Sequence, residues 1–161
     1  MSGYHLAEVN IGTLRDAVDS PMIADFVANL ARINALAEDQ PGFVWRLTGE
    51  GDDATDIQPF ENPLMAINLS VWTDPDSLAA FVYRTAHRDI MRRRAEWFEK
   101  MELFMCLWWV PIGHQPTPQE AIERLEILRQ RGPSPDAFTF RQPFPAPDVL
   151  EPPAPILDEC A

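Results

Sequence analysis

The stretch Leu64 to Trp97 constrains the fold more than any other part of the chain. It begins with Met65, Ile67, Leu69 and Val71 alternating with Ala66, Asn68, Ser70 and Trp72. A period of two with β-branched residues predicts a strand with two unlike faces. Asp74 followed by Pro75 then signals a helix start, because proline at the first helical position loses only an N–H that would be unpaired anyway. The helix stripe runs through Leu78, Phe81, Val82, Ile90, Trp97 and Phe98. Its period breaks around Thr85 to Arg88, which predicts a bend. This is therefore a strand that feeds a helix, with Trp72 at the exit and His87 on the helix.

The flanking elements follow from the same signals. Tyr4 to Ile11 alternates, with Ala7, Val9 and Ile11 on one face and Leu6, Glu8 and Asn10 on the other. Ser20-Pro21 opens a helix whose stripe is Ile23, Phe26, Val27, Leu30, Ile33 and Ala37, and Pro41-Gly42 stops it. A second strand covers Phe43 to Thr48, and residues 49 to 62 form a polar surface loop. The last strand, Phe104 to Pro111, is an unbroken apolar run that predicts burial on both faces. The order β-α-β-β-α-β implies an α+β, ferredoxin-like antiparallel sheet with both helices on one face. The other face would be bare in a monomer. It would carry Leu6, Trp45 or Arg46, Asn68 and one of Trp108 and Trp109. Such bulk needs cover, so the expectation is a homodimer, a dimeric α+β barrel, with a cavity in each protomer between sheet and helix ends.

Beyond Pro111 lies an appendage. Thr117-Pro118-Gln119-Glu120 has a capping-box pattern, Ile122, Leu125 and Leu128 share one side, and Gly132 stands at the C-cap. From Gln142 onward prolines exclude a helix or an inner strand, so the tail is either disordered or an extended strap across a neighbour. The expected divisions are 1–112 for the ferredoxin-like domain, 113–141 for the helical appendage and 142–161 for the tail.

A chain of 161 residues is one domain by default and can bury a core without staples. Acidic residues outnumber basic ones 25 to 13, a net charge of −12, which argues against a nucleic-acid partner. Arg92-Arg93-Arg94 is the exception and reads as a solvated helix face. Cys106 and Cys160 form no framework, which suggests a reducing compartment. There is no apolar run long enough to span a membrane and no signal-peptide pattern near the N-terminus, so the expected location is cytoplasmic, with no membrane partner.

Placing strand one beside three, and three beside two, brings Glu8 and Asn10 next to Asn68 and Ser70, with Arg46 in reach. Enclosed polar groups need partners. Either Glu8 pairs with Arg46 and the amides tie strands together, or these groups point at a ligand. His87 is the only histidine on a core helix. It is either a hydrogen-bonded structural residue or the group that moves protons near neutral pH. Trp45, Trp72, Trp97, Trp108 and Trp109 are core or interface, or an aromatic wall for a flat ligand beside Tyr83. No His or Cys lies three or four residues from His87, so no metal site is expected. No glycine-rich phosphate loop follows a strand, so no cofactor is expected. Cys106 reads as inert packing.

Several segments resemble the family called domain of unknown function 3291. They are Leu6–Ile11, Pro41–Leu47, Asn68–Trp72, Phe81–His87, Leu107–Pro111, Ile112–Thr117 and Gly132–Phe140. The resemblance covers about Tyr4 to Pro145. That family in turn resembles the dimeric α+β-barrel superfamily, which includes antibiotic-biosynthesis monooxygenases and haem-degrading enzymes. The resemblance implies two kinds of chemistry. Quinone-forming members oxidise phenols with dioxygen and no cofactor, using an Asn and a Trp; haem-degrading members use Asn, Trp and a helix-borne His. Asn10 or Asn68, Trp72 and His87 stand on similar elements here. Two function classes follow. One is a cofactor-independent monooxygenase of an apolar aromatic molecule, with Asn68, Trp72 and His87 catalytic and Glu8, Asn10, Arg46, Trp45, Tyr83 and Trp109 around the ligand. The other is a non-enzymatic binding module for a small apolar molecule. Haem binding through His87 is a third reading.

Overall fold

The computed structural model describes residues 2–49, 51, 53–101 and 104–157; Cys160 lies outside them. Four antiparallel strands form one sheet in the order β2-β3-β1-β4. They are β1 (Tyr4–Thr13), β2 (Phe43–Arg46), β3 (Met65–Trp72) and β4 (Met105–Pro111). Helix α1 (Ala24–Glu38) follows a short 3-10 turn that Ser20 caps by accepting from the Met22 N–H. The connection from β3 to β4 is helical in three pieces, α2 (Pro75–Arg84), α3 (His87–Arg92) and α4 (Arg94–Trp97). The fold is the α+β, ferredoxin-like arrangement that the element order implied.

The expected bend is a full break. Asp74 caps α2 by accepting from the Ser77 N–H at 2.8 Å. Thr85 is extended (φ −117°, ψ −176°) and ends that helix. Its hydroxyl donates to the Phe81 carbonyl at 2.5 Å and accepts from the His87 N–H at 3.2 Å. One side chain thus closes one helix and starts the next.

The two sheet faces are filled differently from the expectation. Leu6, Trp72 and Leu107 face α1 and α2, in one apolar cluster with Leu78, Phe81 and Tyr83. Glu8, Asn10, Asn68 and Ser70 share that face, since β1 and β3 pair Glu8 with Ser70 and Asn10 with Asn68. The opposite face carries Ala7, Val9, Leu69, Val71, Cys106 and Trp108, and it is not bare. Ala121, Leu125 and Leu128 of α5 (Pro118–Arg131) cover it, with Trp45, Leu47, Ile57 and Phe60 packed around them. Trp108 is fully buried. Alternation tells which residues share a face, but not which face each helix takes. Any second subunit that docks on this side meets α5 rather than naked strands.

Thr117 caps α5 by accepting from the Glu120 N–H at 3.1 Å, and Gly132 ends it at φ +71°, a conformation that favours glycine. The capping box is only half made. Instead of returning to the cap, Glu120 takes the Trp108 indole N–H at 2.9 Å and faces His114 at 2.6 Å. A strap runs from Phe138, ahead of the proline-rich tail, into that tail, and it crosses its own chain rather than a neighbour. Leu107 and Phe138 exchange backbone bonds at the free edge of β4. The Trp109 indole donates to the Phe144 carbonyl, and Asp148 accepts from the Ser2 hydroxyl and the Gly3 N–H. Three phenylalanines of this segment find an apolar seat beside Trp109 and Tyr83, which a solvated tail would forgo. Among the described residues, no helix is long and apolar enough to cross a membrane.

Candidate functional site

Between the polar face of the sheet and the helices lies a cavity of about 550 Å³. Its walls are largely apolar and include two groups of packed rings, Phe26 with Trp97 and Phe98, and Trp72 with Phe43 and Phe81. Strand positions β1 and β3 supply a polar strip across its floor: Glu8, Asn10, Asn68 and Ser70. Period two puts these four on one face; the antiparallel register puts them side by side.

The strip is a connected network. The Trp72 indole N–H donates to Ser70 Oγ at 3.0 Å. Ser70 Oγ donates to Glu8 Oε2 at 3.3 Å, and Asn10 Nδ2 donates to Glu8 Oε1 at 2.8 Å. Glu8 is 6% exposed. Burial pushes its carboxyl up to about 7, partly offset by the Asn10 and Ser70 hydrogen bonds. Trp72 is held between two rings, stacked on Phe81 at 5.3 Å and edge-on to Phe43 at 5.4 Å. Such packing fixes an indole plane.

His87 opens α3 and lines the same cavity. Its Nδ1 is 3.3 Å from the Val82 carbonyl, and its ring lies 4.8 Å from that of Phe81. Burial lowers its pKa, and the Val82 carbonyl partly opposes this. The imidazole is therefore neutral at pH 7.

The cavity gathers Glu8, Asn10, Arg46, Asn68, Trp72, Tyr83 and His87. Asn68 stands at its exposed margin. It does not gather Trp45 or Trp109. Trp45 packs on the α5 side of the sheet and Trp109 under the tail. The expected Glu8–Arg46 pair is not made: Arg46 Nε bonds Glu38 Oε1 at 2.7 Å, and Glu8 is held by the two neutral donors. Glu38 lies at the last turn of α1, above β2, and reaches the guanidinium first.

Sequence reasoning missed part of the charged lining. Arg15, Asp53, Arg94, Glu99 and Lys100 also border the cavity, and Lys100 is the chain's only lysine. Arg15 Nε is anchored to the Ala95 carbonyl, and Arg94 lies over the Phe104 ring at 5.2 Å. These contacts join α4 to the segments just after β1 and just before β4, and no local pattern announces them. Nor is the arginine run merely solvated: Arg93 pairs with Asp25 and Glu96 and covers Trp97 at 4.8 Å. Cys106 is inert as expected; burial pushes its thiol up to about 12. Among the described residues, no three His, Cys, Asp or Glu side chains group as metal ligands.

Comparison with solved structures finds similar folds at low identity. SnoaB from Streptomyces nogalater, a cofactor-independent oxygenase, is 20% identical, with a TM-score of 0.46 over 71% of this chain and 97% of that one. An asparagine-to-alanine mutant of SnoaB is 21% identical, with a TM-score of 0.43 over 73% of this chain and 99% of that one. The NE2512 protein of unknown function from Nitrosomonas europaea is 14% identical, with a TM-score of 0.45 over 72% and 96% of the two chains. No curated protein matches the sequence. The model of one family matches residues 5–153, nearly the whole chain, and by that match the protein belongs to the family described as domain of unknown function DUF3291.

Proposed function

We propose that the cavity is the site of a cofactor-independent oxygenase acting on an apolar aromatic small molecule. One observation carries this reading: a polar strip and an aromatic enclosure meet in a single cavity of about 550 Å³. Cavities of this size and lining hold flat organic ligands. The residue types also match the Asn-and-Trp pattern that the family resemblance implies. Asn68 and Asn10 would hold the substrate oxygen, Trp72 would form a wall locked by Phe43 and Phe81, and His87, neutral at pH 7, would accept and return a proton. With a phenol as substrate, dioxygen gives one atom to the ring and leaves the other as water, so a quinone forms without an outside reductant. A homodimer is part of the same proposal.

The test is dioxygen uptake by the purified protein with a panel of phenols and polycyclic aromatics. Asn68→Ala and His87→Ala should each lower turnover by about 10²-fold or more, the usual effect of losing a charge-stabilising or proton-moving group. Turnover unchanged in both variants would end the proposal. Ligand binding without turnover has one observation in its favour. The Trp72 N–H is already spent on Ser70, and His87 Nδ1 faces a backbone carbonyl. Tight binding of the same panel with no dioxygen uptake would establish that reading. A Soret band on titration with haemin, lost in His87→Ala, would replace both.

A further inference from the structure

We infer that Glu8 is a second proton acceptor of this cavity, beside His87, the one that takes the hydrogen of the ligand's own O–H, and that it selects neutral ligands bearing an O–H donor. The inference rests on the cavity being a small-molecule site, and it does not depend on oxygen chemistry.

Glu8 lies in the middle of β1, a central strand, and its side chain lines the cavity floor. Among the described residues it makes no salt bridge. Its two oxygens each accept one hydrogen bond, from Asn10 and from Ser70. An ionised carboxylate offers about four acceptor sites, so each oxygen retains capacity. For the fold alone, glutamine or an apolar residue would serve better, since a buried carboxylate without a cation is costly. The arrangement makes sense if something in the cavity supplies a hydrogen.

The neighbours fix the direction. Ser70 accepts from Trp72 and donates to Glu8, and the Asn10 amide also donates to Glu8. Both offer hydrogens, so a proton that Glu8 gains points into the cavity. The rest of the charged lining bears on the guest's charge. Arg15, Arg46, Arg94 and Lys100 outnumber Asp53 and Glu99, an excess of positive charge that disfavours a cation. A neutral O–H compound satisfies both conditions, and its apolar body meets the Phe43, Trp72 and Phe81 rings. When chemistry follows, the ligand O–H bond breaks and its proton goes to a Glu8 oxygen. The electron pair stays on the ligand oxygen, and one negative charge passes from carboxylate to ligand. A ligand anion of this kind is the electron-rich species that reduction of dioxygen would need.

The test is calorimetric binding of three probes to the full chain: 2-naphthol, its methyl ether and the corresponding naphthylmethylamine. The wild type should bind 2-naphthol at least about tenfold tighter than the ether, the worth of one hydrogen bond to a charged acceptor. Glu8→Gln should narrow that gap to about threefold or less, because glutamine is a weaker, uncharged acceptor. A measurement on the wild type alone guards against a variant that folds poorly: 2-naphthol, but not the ether, should shift the infrared carboxyl band of Glu8. Equal binding of 2-naphthol and ether, an unchanged gap in Glu8→Gln, or tightest binding of the amine would each overturn the inference. A Glu8-dependent hydroxyl preference without dioxygen uptake would keep it and remove the oxygenase. Dioxygen uptake that Glu8→Gln leaves unaltered would do the reverse.

Discussion

At the scale of single residues, Glu8 links the site to stability. Its folded pKa of about 7 stands above the ordinary value of 4.5. The fold therefore favours the protonated form, and that contribution is complete below pH 4.5. It is lost as pH rises through 7, because the unfolded chain releases the proton first. The shift corresponds to about 3 kcal/mol. Denaturant melts between pH 4.5 and 8 should show the wild type losing roughly that much relative to Glu8→Gln. Parallel curves for the two proteins would mean that the carboxyl is not buried as described. Gly12 supplies a second residue-scale expectation. A Cβ there would stand 2.5 Å from the Phe98 ring, which forms part of the cavity wall. Gly12→Ala should destabilise by about 1–3 kcal/mol, as overpacking does, and should alter probe binding by displacing that ring.

At the scale of elements, α5 is a working part of the core. Leu125 is buried against the Val9, Leu69 and Trp108 face of the sheet. Leu125→Ala should cost about 2–5 kcal/mol in a chemical melt; a loss under 1 kcal/mol would show the helix to be loosely attached. This is where sequence reading reached its limit. The starts of the helices were legible because caps are local: Ser20, Asp74 and Thr117 each hold the backbone N–H that their position predicts. Strand order and the company of Glu8, Asn10, Asn68 and Ser70 were legible because period two is local as well. The face that each helix covers was not, since alternation carries no sign. The strap was half legible: its prolines excluded regular structure, but its seat beside Trp109 depends on a contact 35 residues away. Arg46 shows the same limit, because its choice of Glu38 over Glu8 is set by the end of α1.

For the whole molecule, the covered second face bears on assembly. A sheet-to-sheet dimer would have to form over α5, since Ala7, Val9 and Trp108 are already out of water. Light scattering decides whether the proposed homodimer exists. One chain weighs 18.3 kDa, so twice that mass supports the dimer and 18.3 kDa removes it. The clasp of Asp148 on Ser2 and Gly3 has a practical corollary of its own. The residues just before β1 are fastened to the strap at Asp148, so Ser2 is not a neutral place to hang a label. Gly113 has a φ of +92° that favours glycine, so its exposed neighbour Ile112 is the better place for a dye or affinity handle.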